Sequence, residues 1–152
     1  MLDTAASSSI VSTALLQNAA FDGPLAAELF VFGRILFGGV LAFNGLNHFL
    51  DIEAMTEYAG SKGVPQPRFA VVFTGGMLLV GGLGIVFGIF PVFSAGALAV
   101  FLLVATPIMH NFWAMPESQQ QQELIHFLKN ATMLGAALML LALGAMTWPY
   151  AL

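Results

Sequence analysis

The sequence predicts an all-α integral membrane protein, built as a bundle of four transmembrane helices. Of its 152 residues, 59% are hydrophobic and only 8% are charged, against about 25% charged residues in ordinary soluble domains. No Asp, Glu, Lys or Arg occurs between Phe69 and Pro116, and none follows Lys129. These stretches are continuously apolar rather than alternating, which favours helices over the strands of a membrane barrel.

Each helical span requires about 20 apolar residues, so the stretch from Phe69 to Pro116 holds two spans. Pro91 marks the break between them, because proline does not continue a helix. The last span is closed by Trp148 and Tyr150, aromatic residues typical of a membrane interface. The predicted transmembrane domain covers 26–148, with TM1 at 26–50, TM2 at 69–89, TM3 at 92–113 and TM4 at 126–147.

The segments outside the spans receive simpler predictions. Residues 1–25 are expected to form an N-terminal tail, in part lying on the membrane interface. The connection 51–68 is expected to hold a short helix over 53–60 and a turn fixed by prolines. The connections 51–68 and 114–125 lie on the same side of the membrane. The positive-inside rule places that side in the cytoplasm, because the connection 51–68 contains Lys62 and Arg68.

The composition excludes several classes of function. With only four Lys and Arg residues, the chain has no basic surface for a nucleic acid. Since it has no cysteine, it has no disulfide framework, thiolate metal site or dithiol redox chemistry of its own.

Because consecutive spans alternate in direction, the end of TM1, the start of TM2, the end of TM3 and the start of TM4 lie at one side of the membrane. Polar residues cluster at that side. Helical spacing supports this cluster, because Asn44 and His48, like His126 and Asn130, are four residues apart and share a helix face. Polar groups within a span usually face the bundle or a wet cavity. The candidate ligand-binding residues are Asn44, Asn47, His48, His110, Trp113, His126, Lys129 and Asn130.

Several interpretations of this cluster stay open. It is either a structural hydrogen-bond network or a pocket for a small molecule, in which Lys129 or Arg68 contacts a head group or a quinone carbonyl and Trp113 stacks on a ring. A metal site is not predicted, because no two histidines have the spacing of helical ligands. No catalytic residue is assigned.

Arg34 is a separate intramembrane charge. It lies about 21 Å along the helix from His48, from 1.5 Å of rise per residue, and therefore near the opposite interface. Either its side chain extends to lipid head groups, or it is buried and requires a partner that the sequence does not name.

Short stretches in TM1, in the first connection, at the end of TM3 and at the start of TM4 match a known pattern. They are Gly33 to Gly39, Gly45 to His48, Lys62 to Pro65, His110 to Trp113, and Glu123 with His126 to Asn130. Through these stretches the chain resembles the DoxX family of small prokaryotic membrane proteins, and the expected location is therefore a prokaryotic plasma membrane. The resemblance implies a four-helix membrane bundle linked to quinone-coupled oxidation of sulfur compounds or to oxidoreductase complexes of oxidative stress. Thiol chemistry would then belong to a partner or a substrate.

Three hypotheses of function follow. The first is the membrane subunit of a redox complex, at most a subunit of a quinone-linked oxidoreductase, with quinone or another amphipathic small molecule in a one-sided polar pocket. The second is a non-enzymatic bundle that docks a protein partner, forms a homo-oligomer or binds membrane lipid. The third is a small transporter, which ranks last because the spans lack an inverted repeat.

Overall fold

The computed structural model describes residues 21–152, which contain five α-helices and no β-strand. Four of the helices are long and apolar enough to cross a membrane, and the predicted all-α fold with four such helices is confirmed. The predicted tail of residues 1–25 lies mostly outside the described residues. The helices are α1 (Ala26–Leu50), α2 (Ile52–Ser61), α3 (Pro67–Phe87), α4 (Pro91–Met109) and α5 (Glu117–Ala142), with a 3-10 turn at Phe112–Ala114.

Prolines mark the beginnings of α3 and α4, and a glycine marks the end of α3. Helix α1 has the bounds of the predicted TM1. Helices α3 and α4 both begin with proline, whose missing N–H costs nothing in the first turn. Helix α3 ends at Gly88, which adopts φ +71°, a left-handed conformation that glycine reaches without steric cost.

Helix α5 differs most from its predicted span, 126–147. It begins at Glu117 because the run of glutamines continues the helix, and it ends at Ala142. The following chain turns back onto the bundle, with Gly144 packed against Val92. Trp148 is buried there and donates its indole N–H to the Leu143 carbonyl at 2.8 Å, so it packs inside the protein rather than facing the membrane interface.

Glycines bring α1 and α3 into backbone contact. A Cβ atom built on Gly38 would lie 2.5 Å from the Gly82 carbonyl oxygen, and one built on Gly45 would lie 2.5 Å from the Leu79 nitrogen. Small residues allow membrane helices to approach this closely. On α3, Gly75 and Gly82 lie on the face that packs against α1.

The long helices pack chiefly in chain order, α1 on α3, α3 on α4 and α4 on α5, while α2 lies against α3. Leu78, Ile85, Leu98 and Leu102 form the centre of the core and are fully buried. Many large apolar side chains point outward from the bundle instead, as expected for helices whose solvent is lipid. We call the end of the bundle where α1 ends and α3 begins the histidine side, and the other end the arginine side.

Candidate functional site

Three charged or titratable side chains from separate elements meet on the histidine side. The Glu123 carboxylate accepts a hydrogen bond from Lys62 Nζ at 3.2 Å, and its second oxygen lies 2.8 Å from His110 Nδ1. Lys62 follows α2, His110 follows α4, and Glu123 lies in the second turn of α5. The contacts therefore tie the loop after α2 to the ends of two membrane helices.

This Lys62–Glu123–His110 network is largely shielded from solvent. The three side chains are only 12%, 16% and 19% exposed, in that order. An ionised carboxylate only accepts hydrogen bonds, and here its two oxygens have different donors. The His110 ring is also stacked on the His126 ring, with centroids 5.2 Å apart, so two contacts fix its orientation.

His48 is held by a different contact. Its Nδ1 lies 2.9 Å from the backbone carbonyl oxygen of Asn44, one helical turn earlier. Because a carbonyl oxygen only accepts, the Nδ1–H of His48 is the donor. This contact uses the backbone of Asn44, so the Asn44 side chain takes no part in orienting the His48 ring.

A cavity of about 850 Å³ lies beside these histidines. It lies between α2, α3 and α4, and His48 and His110 are part of its wall. Most of the remaining lining is apolar, and it includes side chains of α3 and α4 that are exposed at the outer surface of the bundle, such as Phe69, Phe73 and Val104. The cavity therefore opens sideways between helices as well as toward the histidine side.

A second, smaller cavity of about 220 Å³ adjoins the first. Asn44, Asn47, Leu102 and Met133 contribute to its walls, from α1, α4 and α5. Four residues line both cavities, namely His48, Met55, Phe101 and Asn130.

Five of the eight predicted site residues thus line a cavity, and three do not. The five are Asn44, Asn47, His48, His110 and Asn130. His126 contributes indirectly by stacking on His110, whereas Lys129 is exposed and lines neither cavity.

Trp113 also lines neither cavity, and its position has a local cause. Helix α4 ends at Met109, so Trp113 lies in the 3-10 turn and does not share a helix face with His110. Its ring is 58% exposed and contacts the rings of Phe112 and Phe127. Trp113 therefore lies beyond the end of α4, although the predicted TM3 extends to residue 113.

Lys62 and Glu123 were not among the predicted site residues. The sequence places both at the histidine side, but they are 61 residues apart and no local pattern pairs them. Within residues 21–152, no group of three His, Asp or Glu side chains is arranged to hold a metal ion.

The arginine side has a different polar group. Arg34 is 1% exposed, and its guanidinium carbon lies 5.5 Å from the Phe30 ring centroid and 5.4 Å from that of Trp148. Its Nε and Nη1 have no hydrogen-bond partner. Arg34 is therefore sealed between two aromatic rings instead of reaching the lipid head groups, and the described residues supply no carboxylate to it.

Comparison with known proteins agrees with this architecture. The chain is 26% identical over 122 residues to the "Inner membrane protein YphA" of Escherichia coli (strain K12), covering 80% of this chain and 87% of that protein. No solved structure matches. The DoxX family model matches residues 29–111, which run from α1 to the residue after His110, and this chain belongs to the DoxX family of membrane proteins.

Proposed function

We propose that this protein is the membrane subunit of a redox complex, and that it binds a quinone or another amphipathic small molecule in the larger cavity. The observation that carries the proposal is the combination of an apolar wall with histidines at one end of the space. A ligand with a polar head and an apolar tail matches this arrangement, with its head near the histidines and its tail along the apolar wall.

The size of the cavity supports a small-molecule ligand. Sites for small molecules typically enclose about 300–1,000 Å³, are mostly apolar and contain a few polar groups that orient the ligand. The cavity has about 850 Å³, and His48, His110 and Asn130 are among its few polar lining residues. A ring-sized head group and the first part of an alkyl tail fit this volume.

The opening of the cavity supports a ligand that arrives from the bilayer. Phe69 and Phe73 of α3 and Val104 of α4 line the cavity and are also more than half exposed at the bundle surface. A tail can thus extend between α3 and α4 into the lipid while the head group stays near the histidines.

The role as a subunit follows from what this chain does not contain. Without cysteine, it has no thiol to pass electrons to a bound quinone. Thiol electrons would therefore come from a partner protein or a substrate, and the redox complexes linked to the family favour a partner.

The test is binding of a decyl-substituted benzoquinone to purified protein in lipid nanodiscs. Ala105→Phe places a ring in the cavity wall and is expected to weaken binding at least tenfold. Leu103→Phe is the matched control, because Leu103 lies on the same helix and points outward, 62% exposed. Equal binding by wild type and Ala105→Phe would contradict the proposal.

Binding of a membrane lipid is the second candidate, favoured by the apolar lining of the sideways opening. Extraction of purified protein followed by mass spectrometry separates the two. Enrichment of one lipid class, displaced in Ala105→Phe and retained in Leu103→Phe, would support lipid binding, and enrichment of quinone would support the first proposal.

A further inference from the structure

We infer that the larger cavity selects a head group that donates hydrogen bonds, such as the two hydroxyls of a hydroquinone, over a head group that only accepts them. The inference rests on the proposed function and specifies the chemical form of its ligand. It depends on the hydrogen bonds that orient His48 and His110, the two histidines in the cavity wall.

Each of these histidines uses Nδ1 to donate to a partner that only accepts. For His48 the partner is the Asn44 carbonyl oxygen at 2.9 Å. For His110 it is the Glu123 carboxylate at 2.8 Å, which the second contact, from Lys62, keeps in its ionised form. A neutral imidazole with its proton on Nδ1 has only a lone pair on Nε2. Both rings therefore offer an acceptor at their second nitrogen.

The orientation of the His110 ring is fixed by more than one contact. Its Nδ1 bonds to Glu123 on one edge, and its face stacks on His126 at 5.2 Å. Since Nδ1 and Nε2 lie on opposite edges of an imidazole, Nε2 points away from Glu123. Glu123 is thus a positioning residue, which acts on the ligand through His110.

Other polar groups in the wall do not impose the same selection. Tyr58, Gln66 and Asn130 also line the cavity, and their hydroxyl and amide groups both donate and accept. They accommodate either kind of head group. The two histidines therefore set the preference for a donor.

The experiment compares decylhydroquinone with its dimethyl ether, which has the same ring and tail and no donor proton. Binding is measured in nanodiscs without oxygen, at pH 8, with excess dithiothreitol, which this cysteine-free chain tolerates. We expect the hydroquinone to bind about tenfold more tightly, the effect of one or two net hydrogen bonds.

Three variants assign the preference to its residues. His110→Phe and His48→Phe are each expected to reduce the ratio of the two affinities to about threefold or less. Glu123→Gln is expected to reduce it as well, because an amide also donates to Nδ1 and permits the other tautomer. Glu53→Gln is the matched control for Glu123→Gln, since Glu53 is 85% exposed and lines neither cavity, and it is expected to retain the ratio.

Nitrogen-15 NMR of histidine-labelled protein supplies a readout that needs no ligand. The Nε2 signals of His48 and His110 are expected at the position of an unprotonated nitrogen, and in Glu123→Gln only that of His110 shifts.

Protonated Nε2 in the neutral rings, or equal affinity for hydroquinone and ether, would overturn the inference and leave the proposed function intact. Failure of both compounds and of the quinone to bind would overturn the proposed function itself. If a histidine variant does not fold, the wild-type affinity ratio and spectrum still decide.

Discussion

The polar residues at the two ends of the bundle have opposite surroundings. On the histidine side, Lys62, Glu123 and His110 are paired with one another, 12–19% exposed, and adjacent to a cavity. On the arginine side, Arg34 is 1% exposed, lies between two aromatic rings, and has two nitrogens without a hydrogen-bond partner. One end has open space beside its polar groups, and at the other end the polar group is enclosed by protein.

The difference teaches that an intramembrane charge is not by itself a sign of a binding site. Arg34 is the least exposed charged residue within residues 21–152, yet its surroundings are protein, and a Cβ atom built on Gly88 at the end of α3 would lie 2.9 Å from its Nη1. The histidines are less deeply placed and have open space beside them. Cavity and polarity together, rather than burial, distinguish the two ends.

The largest effect is expected at the arginine side. Arg34→Ala removes the side chain between Phe30 and Trp148 and should lower the free energy of unfolding by about 3 kcal/mol, from the space left behind and the lost cation–π contacts. Arg34→Met should recover more than half of that loss, because it refills the volume and removes a buried charge. Unfolding in denaturant measures both. Quinone binding should be unchanged in Arg34→Met, and its loss would contradict the division between the two ends.

A smaller effect on stability is expected at the histidine side. Glu123→Gln leaves Lys62 without a carboxylate in a shielded position and should lower the free energy of unfolding by about 1–2 kcal/mol. The matched control is Glu53→Gln. Glu53 pairs with Arg68 at 3.7 Å, but the two side chains are 85% and 68% exposed, so the change should stay below about 0.5 kcal/mol. Equal effects of the two substitutions would remove the energetic role assigned to the network.

The smallest effect is expected for Trp113→Ala. The sequence predicts that this ring stacks on a ligand, whereas the structure places it against Phe112 and Phe127, away from both cavities. The affinity for decyl-benzoquinone should therefore stay within twofold of wild type in nanodiscs. A tenfold loss would restore the original placement of Trp113.

The membrane-spanning architecture could be predicted from the sequence because hydropathy and charge-free length decide it. The helix ends were harder to predict, because they depend on local caps and on packing. Helix α5 begins at Glu117, since polar glutamines are compatible with a helix that extends beyond the lipid. It ends before the predicted span does, because Trp148 folds back onto Phe30.

From the sequence, only the side of the membrane on which the candidate site lies could be predicted. Topology places His48 and His110 on the same side, but which residues meet depends on the rotation of each helix and on its last turn. Trp113 lies outside the helix in which it was predicted, because α4 ends at Met109. The contact of Lys62 with Glu123, and the part played by α2 in the larger cavity, join distant segments and have no local signal.

The most direct test of the central claim, that the ligand site is the cavity of the histidine side, is photolabelling with a decyl-benzoquinone that carries a diazirine on its tail. The labelled protein is digested and mapped by mass spectrometry, with unmodified decyl-benzoquinone as competitor. The account predicts labels that the competitor suppresses on the cavity-lining methionines Met55, Met77 and Met109. Suppressible labels around Phe30 and Trp148, or labels spread over the outer faces and unaffected by the competitor, would contradict it.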